Sequence, residues 1–290
     1  MTGEGFILRE FLGIPYYSCL AFEEVPHLRH GFSTRRGGAP DLKESSLNLS
    51  DAPWDSTSRV NENRRLFLSA LQLAAASLIV LRQVHSNRVH IIEDISTQWN
   101  QLGTCPSNRS GQFHYSDRLL EGDAMATRIE NIALAVKTAD CLPVLIADPA
   151  KNVVAAVHSG WRGTLSGILL CTIREMQRAF GSDPSRLLTA IGPGMRACCY
   201  EVGSDVAELF KKEYPECCSA MPASVHPDKY LLDLGKALDV QMNRAGIRPE
   251  NRYDLKLCTC CNTEEFFSHR AEGSAAGRMM SIIGLLPGKT

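Results

Sequence analysis

Two apolar runs dominate the hydropathy pattern: LPVLIA at 142–147 and VVAAV at 153–157, either side of Asp148-Pro149-Ala150-Lys151-Asn152. Runs of this length without alternation predict strands covered on both faces, and the Asp-Pro segment predicts a tight turn between them. Folded back symmetrically about Pro149 and Ala150, the hairpin sets Leu145 opposite Val154 and Cys141 opposite His158, at a Cβ spacing of about 5 Å. A turn of odd length would place the thiol and imidazole diagonally instead. At either spacing the two could share a metal ion or a proton.

The same reading places strands at 6–8, 16–22, 78–84, 88–92, 132–136, 187–191, 198–202 and 279–286. Helical spacing of apolar residues predicts helices at 58–73, 165–180, 204–212 and 230–245, with Ser56 or Thr57 as N-cap of the first. Gly181 and Gly246 stand where two of them stop. The stretch at about 96–118 is rich in Ser, Asn, Gln and Gly, has no period, and predicts a long exposed loop. The double glycine beside Arg35 and Arg36 suits an anion-contacting loop or a plain solvated turn. Neither an internal repeat nor a composition break marks a linker, so one domain over 1–290 is expected.

Composition narrows the class. The 290 residues carry a net charge of −1, which gives no electrostatic case for a nucleic-acid partner. No apolar run approaches the roughly 18 residues of a membrane span, and the N-terminus lacks a basic region followed by an apolar stretch. A cytoplasmic protein working on a small molecule is the expectation, with oligomeric state left open. Eleven cysteines is an odd number, and three pairs are adjacent in sequence, which argues for thiols rather than a disulfide framework.

Candidate chemistry gathers where strands end. His85 closes one predicted strand, and Cys141 and His158 flank the hairpin. Together they could form a three-ligand zinc site with an open fourth position for water or substrate. A metal-free Cys–His nucleophile pair is the rival reading. A structural zinc on Cys198, Cys199, Cys258 and Cys261 is disfavoured, because the run Cys258-Thr-Cys-Cys261 reads unlike a common zinc knuckle. After His158, Ser-Gly-Trp-Arg-Gly-Thr opens into a helix whose free N–H groups would attract an anion, with Arg162 beside them. Alternatively, Arg162 stacks on Trp161 or pairs with a carboxylate.

The motifs QVHSNRV, EGDAMAT, KTADCLPVLI, AAVHSGWRG, IGPGMRACCYEVG and FFSHRAEGSAAGRM, in that order over roughly 31–283, resemble the YfiH family of laccase-domain proteins. That family is also called the multicopper polyphenol oxidase domain and the purine nucleoside phosphorylase of that type. The resemblance implies an α+β fold, a single-domain four-layer α/β/β/α sandwich with its motif-bearing core at about 30–286. It implies one zinc on His85, Cys141 and His158, a ligand set that also suits copper. It further implies phosphate-dependent cleavage of adenosine, inosine and 5′-methylthioadenosine, with adenosine deamination as a side activity. Asp140 and Cys141 are the implied catalytic residues, with Asp140 handling protons. Arg35, Asn48, Arg162 and Arg270 are the implied substrate or phosphate contacts.

Two departures stand out. Ser86 replaces the family's usual glycine, and His269-Arg270-Ala271-Glu272 lacks a second arginine. Copper-dependent phenol oxidation, amide hydrolysis on cell-wall precursors and a non-catalytic zinc-binding role are the alternatives. True multicopper chemistry fits poorly with eight histidines and no His-x-His pair.

Overall fold

The computed structural model describes residues 4–39, 46–93, 104–105, 114–115, 120–221 and 228–288. Strands β1 (Phe6–Phe11), β2 (Ile14–Cys19) and β3 (Leu28–Ser33) come first, with the single turn α1 (Leu20–Glu23) before β3. Helix α2 (Thr57–Ala70) begins at Ser56, whose hydroxyl accepts from the Arg59 amide. Then follow β4 (Ser77–Val80), β5 (Val89–Ile92), the two-residue strands β6 (Thr104–Cys105) and β7 (His114–Tyr115), and β8 (Ala124–Thr127). The exposed loop expected at about 96–118 lies mostly outside the described residues; within it β6 pairs with β7.

The centre of the chain supplies β9 (Ile132–Thr138), β10 (Leu142–Asp148) and β11 (Val153–Ser159). After these come α3 (Trp161–Leu165), α4 (Ile168–Phe180), β12 (Leu188–Ile191), β13 (Glu201–Gly203) and α5 (Ser204–Glu213). The last elements are β14 (Cys218–Ala220), β15 (Lys229–Leu232), α6 (Leu234–Ala245), β16 (Arg252–Asp254), α7 (His269–Glu272) and β17 (Met279–Leu285).

Two six-stranded mixed sheets carry the fold, in the orders β1-β2-β3-β17-β9-β4 and β16-β12-β10-β11-β8-β5. The continuous apolar runs follow from what covers them. On β10, Leu142, Val144 and Ile146 pack toward α4 and α6, whereas Leu145 and Ala147 join the core shared with the other sheet. On β9, Leu134 and Val136 join that inter-sheet core, while Ala133 and Ala135 pack with Phe67 and Leu68 of α2. Each central strand is therefore apolar on both faces, and the layers run helix, sheet, sheet, helix. This is the expected α+β four-layer sandwich. Among the described residues no helix is long and apolar enough to cross a membrane.

Several local expectations change. The hairpin turn spans four residues, with Asp148 paired to Val153 and Asp148 Oδ1 accepting from the Ala150 and Lys151 amides. His158 therefore lies opposite Pro143, not Cys141, and the cysteine is its diagonal neighbour. The helix expected from 165 breaks at Gly167, which takes a left-handed φ of 75° between α3 and α4. The helix expected from 230 begins at Asp233, whose side chain caps the Lys236 amide, because 229–232 pair as a strand between β13 and β14. Residues 197–199 form a turn, and the strand there begins at Glu201.

Candidate metal centre

The centre is built at one end of the second sheet by three chain segments. Cys141 precedes β10, His158 is the penultimate residue of β11, and His85 sits in the turn between β4 and β5. One donor atom from each lies within 4.8 Å of the others, with Cys141 Sγ 3.9 Å from His85 Nε2. The two imidazole rings meet edge-on, 5.0 Å between centroids at 76°.

Asp123 organises two of the three. Its buried carboxylate takes His158 Nδ1 at 2.8 Å, leaving Nε2 as the ring's metal-binding nitrogen. The same carboxylate accepts the amides of Val84, His85 and Ser86 at 3.3, 3.0 and 2.6 Å, and the Ser86 hydroxyl at 2.8 Å. That nest holds His85 at φ 58°. The left-handed residue of this turn is thus the histidine, so Ser86 needs no glycine-like backbone. Ser86 also adds a hydroxyl bond to Asp123. Burial works against the Asp123 charge, but the bonds from His158 and Ser86 prevail and hold its pKa down to about 2.

Gly160 supplies room. A Cβ built there would stand 2.8 Å from His85 Cδ2 and 3.0 Å from Cys141 Sγ. The missing side chain is what lets thiol and imidazole approach beneath the start of α3. Burial disfavours the Cys141 thiolate, yet the neighbouring His158 and His85 rings outweigh it and lower the thiol pKa. His158 is shifted upward against its burial by Cys141 and Asp123. A soft thiolate and two imidazoles converging this closely fit one Zn²⁺ or copper ion with a coordination position to spare.

That open side faces a cavity of about 700 Å³, lined by His85, Cys141 and His158 together with Arg82, Lys137, Arg278, Asp51, Ser50, Gln83, Thr138, Ala139 and His269. Arg82, Lys137 and Arg278 outnumber Asp51 on this wall, with Arg82 also paired to Glu121 at 3.4 Å, so its charge suits an anion. Lys137 is clamped through its backbone by Gln83, which donates to its carbonyl at 2.7 Å and accepts from its amide at 2.8 Å. Burial, reinforced by Arg64, lowers the Lys137 pKa to about 8. The buried Thr138 hydroxyl has no hydrogen-bond partner among the described residues.

The contacts expected from sequence fall elsewhere. Arg35 pairs with Glu272 at 2.8 Å and stacks on Phe267. Asn48 is fully buried, binding the Ser50 carbonyl, Asp55 and the Arg278 amide. Arg162 is exposed and lies 4.1 Å over Trp161. Arg270 donates from its guanidinium to the Cys199 and Glu201 carbonyls. None of the four lines the cavity. They brace the loops around it.

Asp140 is strained at φ 94°, and both carboxylate oxygens are engaged, one by Thr259 Oγ1 and one by the Arg270 amide, each at 2.7 Å. Sequence reading missed Asp123, Gln83, Lys137 and Arg278. All four lay within the quoted motifs QVHSNRV, EGDAMAT, KTADCLPVLI and FFSHRAEGSAAGRM, but polar residues there carried no spacing that separates a brace from a wall.

Comparison with known proteins gives the centre a family context. Residues 29–286 match the family described as "Multi-copper polyphenol oxidoreductase laccase". The chain is 34% identical over 258 residues to a purine nucleoside phosphorylase of Deinococcus radiodurans, covering 88% of each. It is 32% identical over 254 residues to "Adenosine deaminase RL5" of an unknown prokaryotic organism, covering 87% of this chain and 92% of that one. The mouse purine nucleoside phosphorylase LACC1 is 30% identical over 263 residues, and the matched region spans about half, 55%, of that longer protein. The crystal structure of YlmD from Geobacillus stearothermophilus superposes with a TM-score of 0.81 at 27% identity, covering 97% and 99% of the two chains.

Proposed function

Because this chain belongs to the multi-copper polyphenol oxidoreductase laccase family, whose relatives named above carry purine nucleoside names, we propose that it is a zinc-dependent purine nucleoside phosphorylase. Adenosine, inosine and 5′-methylthioadenosine are the substrates, split by phosphate to the free base and a pentose 1-phosphate. The observation carrying this reading is the juxtaposition of an open His₂Cys donor set with a cationic cavity wall. Phosphorolysis needs an anion site beside an electrophilic activator, and the two are adjacent here. Zn²⁺ held by His85, Cys141 and His158 would supply Lewis-acid polarisation and a lowered pKa for a bound oxygen.

The chain's own residues do the rest. Lys137, Arg82 and Arg278 bind and orient the phosphate. Asp123 fixes the His158 tautomer and the His85 turn. With both oxygens of Asp140 occupied, its role is to hold the turn that presents Cys141. Delivery of a proton to the departing base falls to His269, the remaining imidazole on the cavity wall. Deamination of adenosine is the second reading, favoured by the deaminase relative; water would take the place of phosphate.

Zinc-loaded protein incubated with adenosine and phosphate should release adenine and ribose 1-phosphate. If neither adenosine nor inosine is cleaved and Cys141→Ala behaves as wild type, the reading fails. Inosine and ammonia formed from adenosine without phosphate would report the deaminase arm.

A further inference from the structure

Outside the cavity, a second convergence of metal-binding side chains stands on two loops. We propose that Cys198, Cys199, Cys258 and Cys261 form a closed four-thiolate site for a structural zinc ion. All four sulfurs lie within 4.8 Å of one another; Cys261 Sγ is 3.5 Å from Cys198 Sγ and 3.3 Å from Cys199 Sγ. Four sulfurs around one Zn²⁺ at about 2.3 Å stand roughly 3.8 Å apart, so this spacing needs only small shifts to close on an ion. A disulfide would join one pair at about 2.05 Å and leave the others unused. The sulfur of Cys261 instead approaches two partners about equally. Cys258 and Cys261 also stand in C-x₂-C spacing, which the intervening Cys260 had obscured in the sequence.

What the ion would hold is visible in the backbone. The two loops are joined by a parallel bridge, Gly194 to Cys258, with Gly194 N donating to Leu257 O and Thr259 N to Gly194 O, both at 3.2 Å, and Arg196 pairs with Asp254 at 2.7 Å beside it. From there the contacts run directly to the turn carrying Cys141. Met195 N donates to the Asp140 carbonyl and Thr259 Oγ1 to the Asp140 carboxylate, each at 2.7 Å. A tetrathiolate ion would staple these loops and hold the strained Asp140 from behind. The proposal is independent of the nucleoside reading, since it concerns ligands that do not reach the cavity.

The test is metal counting on the full chain, purified without an affinity metal and in the presence of a thiol reductant. Wild type should carry two zinc equivalents. His85→Ala, at an exposed position outside the four-cysteine ligand set, should keep one, and Cys261→Ser should lose one. Cobalt loaded into His85→Ala should show the intense thiolate charge-transfer band of a four-sulfur site, and zinc-edge absorption should return four sulfur neighbours. One equivalent in wild type and none in His85→Ala would overturn the proposal. So would retained metal in His85→Ala with nitrogen neighbours, or, in protein purified without the reductant, a mass 2 Da light from a disulfide among these cysteines. The wild-type and His85→Ala results decide the matter even if Cys261→Ser does not fold.

Discussion

The two cysteine-containing centres are built in opposite ways. His85, Cys141 and His158 hang at the ends of buried sheet elements, open on a cavity, with Asp123 fixing the orientation of two of them. The four-cysteine cluster sits on two irregular loops, does not line that cavity, and is joined to it through Asp140 and Arg270. A rigid scaffold whose donors open on a cavity suits turnover. A closed set of thiolates on loops suits cross-linking. The difference teaches where to look for chemistry: in the centre whose donors are held by something other than the ion itself.

The first and largest test removes the open centre while leaving the closed one. Cys141→Ala should abolish metal binding at the His₂Cys site and lower kcat/KM for adenosine phosphorolysis on the order of 10³-fold, since a Lewis acid contributes several kcal/mol. The total metal count should fall by one. Retained activity would collapse the contrast, making both centres structural.

Next in size is Asp123→Ala, which strips the support from the open centre. Metal affinity there should drop about 10–100-fold, and the orphaned amides and imidazole should cost about 2–4 kcal/mol in urea unfolding. The acid limb carries the same information. The Asp123 pKa in the fold, about 2, lies below its ordinary 3.8, so its contribution is complete above pH 3.8 and is lost as pH falls through 2. Asp123→Asn should flatten that part of the stability profile; an unchanged profile would mean the nest is not what fixes the turn.

Gly160→Ala probes the approach of thiol and imidazole alone. The added methyl meets His85 and Cys141 at 3.0 Å or less, so the open centre should lose about tenfold in metal affinity while the unfolding midpoint barely moves. Lys137→Met should raise the KM for phosphate about tenfold at pH 7 with little change in kcat. In wild type the Lys137 cation disappears as pH rises through about 8, so phosphate binding should weaken above that pH. A variant with the same pH dependence as wild type would move the anion site elsewhere on the wall.

How much of this was legible beforehand depends on what each residue answers to. Cys141, His158 and His85 stood out because each follows or precedes an apolar run whose length marks a strand end. The four layers came from resemblance, and the uninterrupted runs on β9 and β10 agree with them. The register slipped by two because Asp148 continues the strand and Asn152 accepts a left-handed φ of 51°, lengthening the turn to four residues. Asp123 and Gln83 act across neighbouring strands on amides distant in sequence, a relation no local spacing reports. The cysteine tetrad was readable in part as C-x₂-C, but its other half comes from an adjacent pair that only tertiary folding brings near.

The smallest expected effect is the most discriminating for the cavity wall. Arg162 was the natural anion ligand from sequence, standing at a predicted helix start after His158. The helix there is five residues long, and the guanidinium lies over Trp161 instead. Arg162→Ala should therefore cost only the stacking, about 0.5–1 kcal/mol of stability, and leave the phosphate KM within about twofold of wild type. A tenfold rise in that KM would show that the anion is shared between the sheet-end wall and the helix start. The open centre would then be built partly on the kind of local feature that the comparison assigns to the closed one. Measuring Arg162→Ala beside Lys137→Met at the same pH separates the two cases, because each arrangement predicts a defect in a different variant.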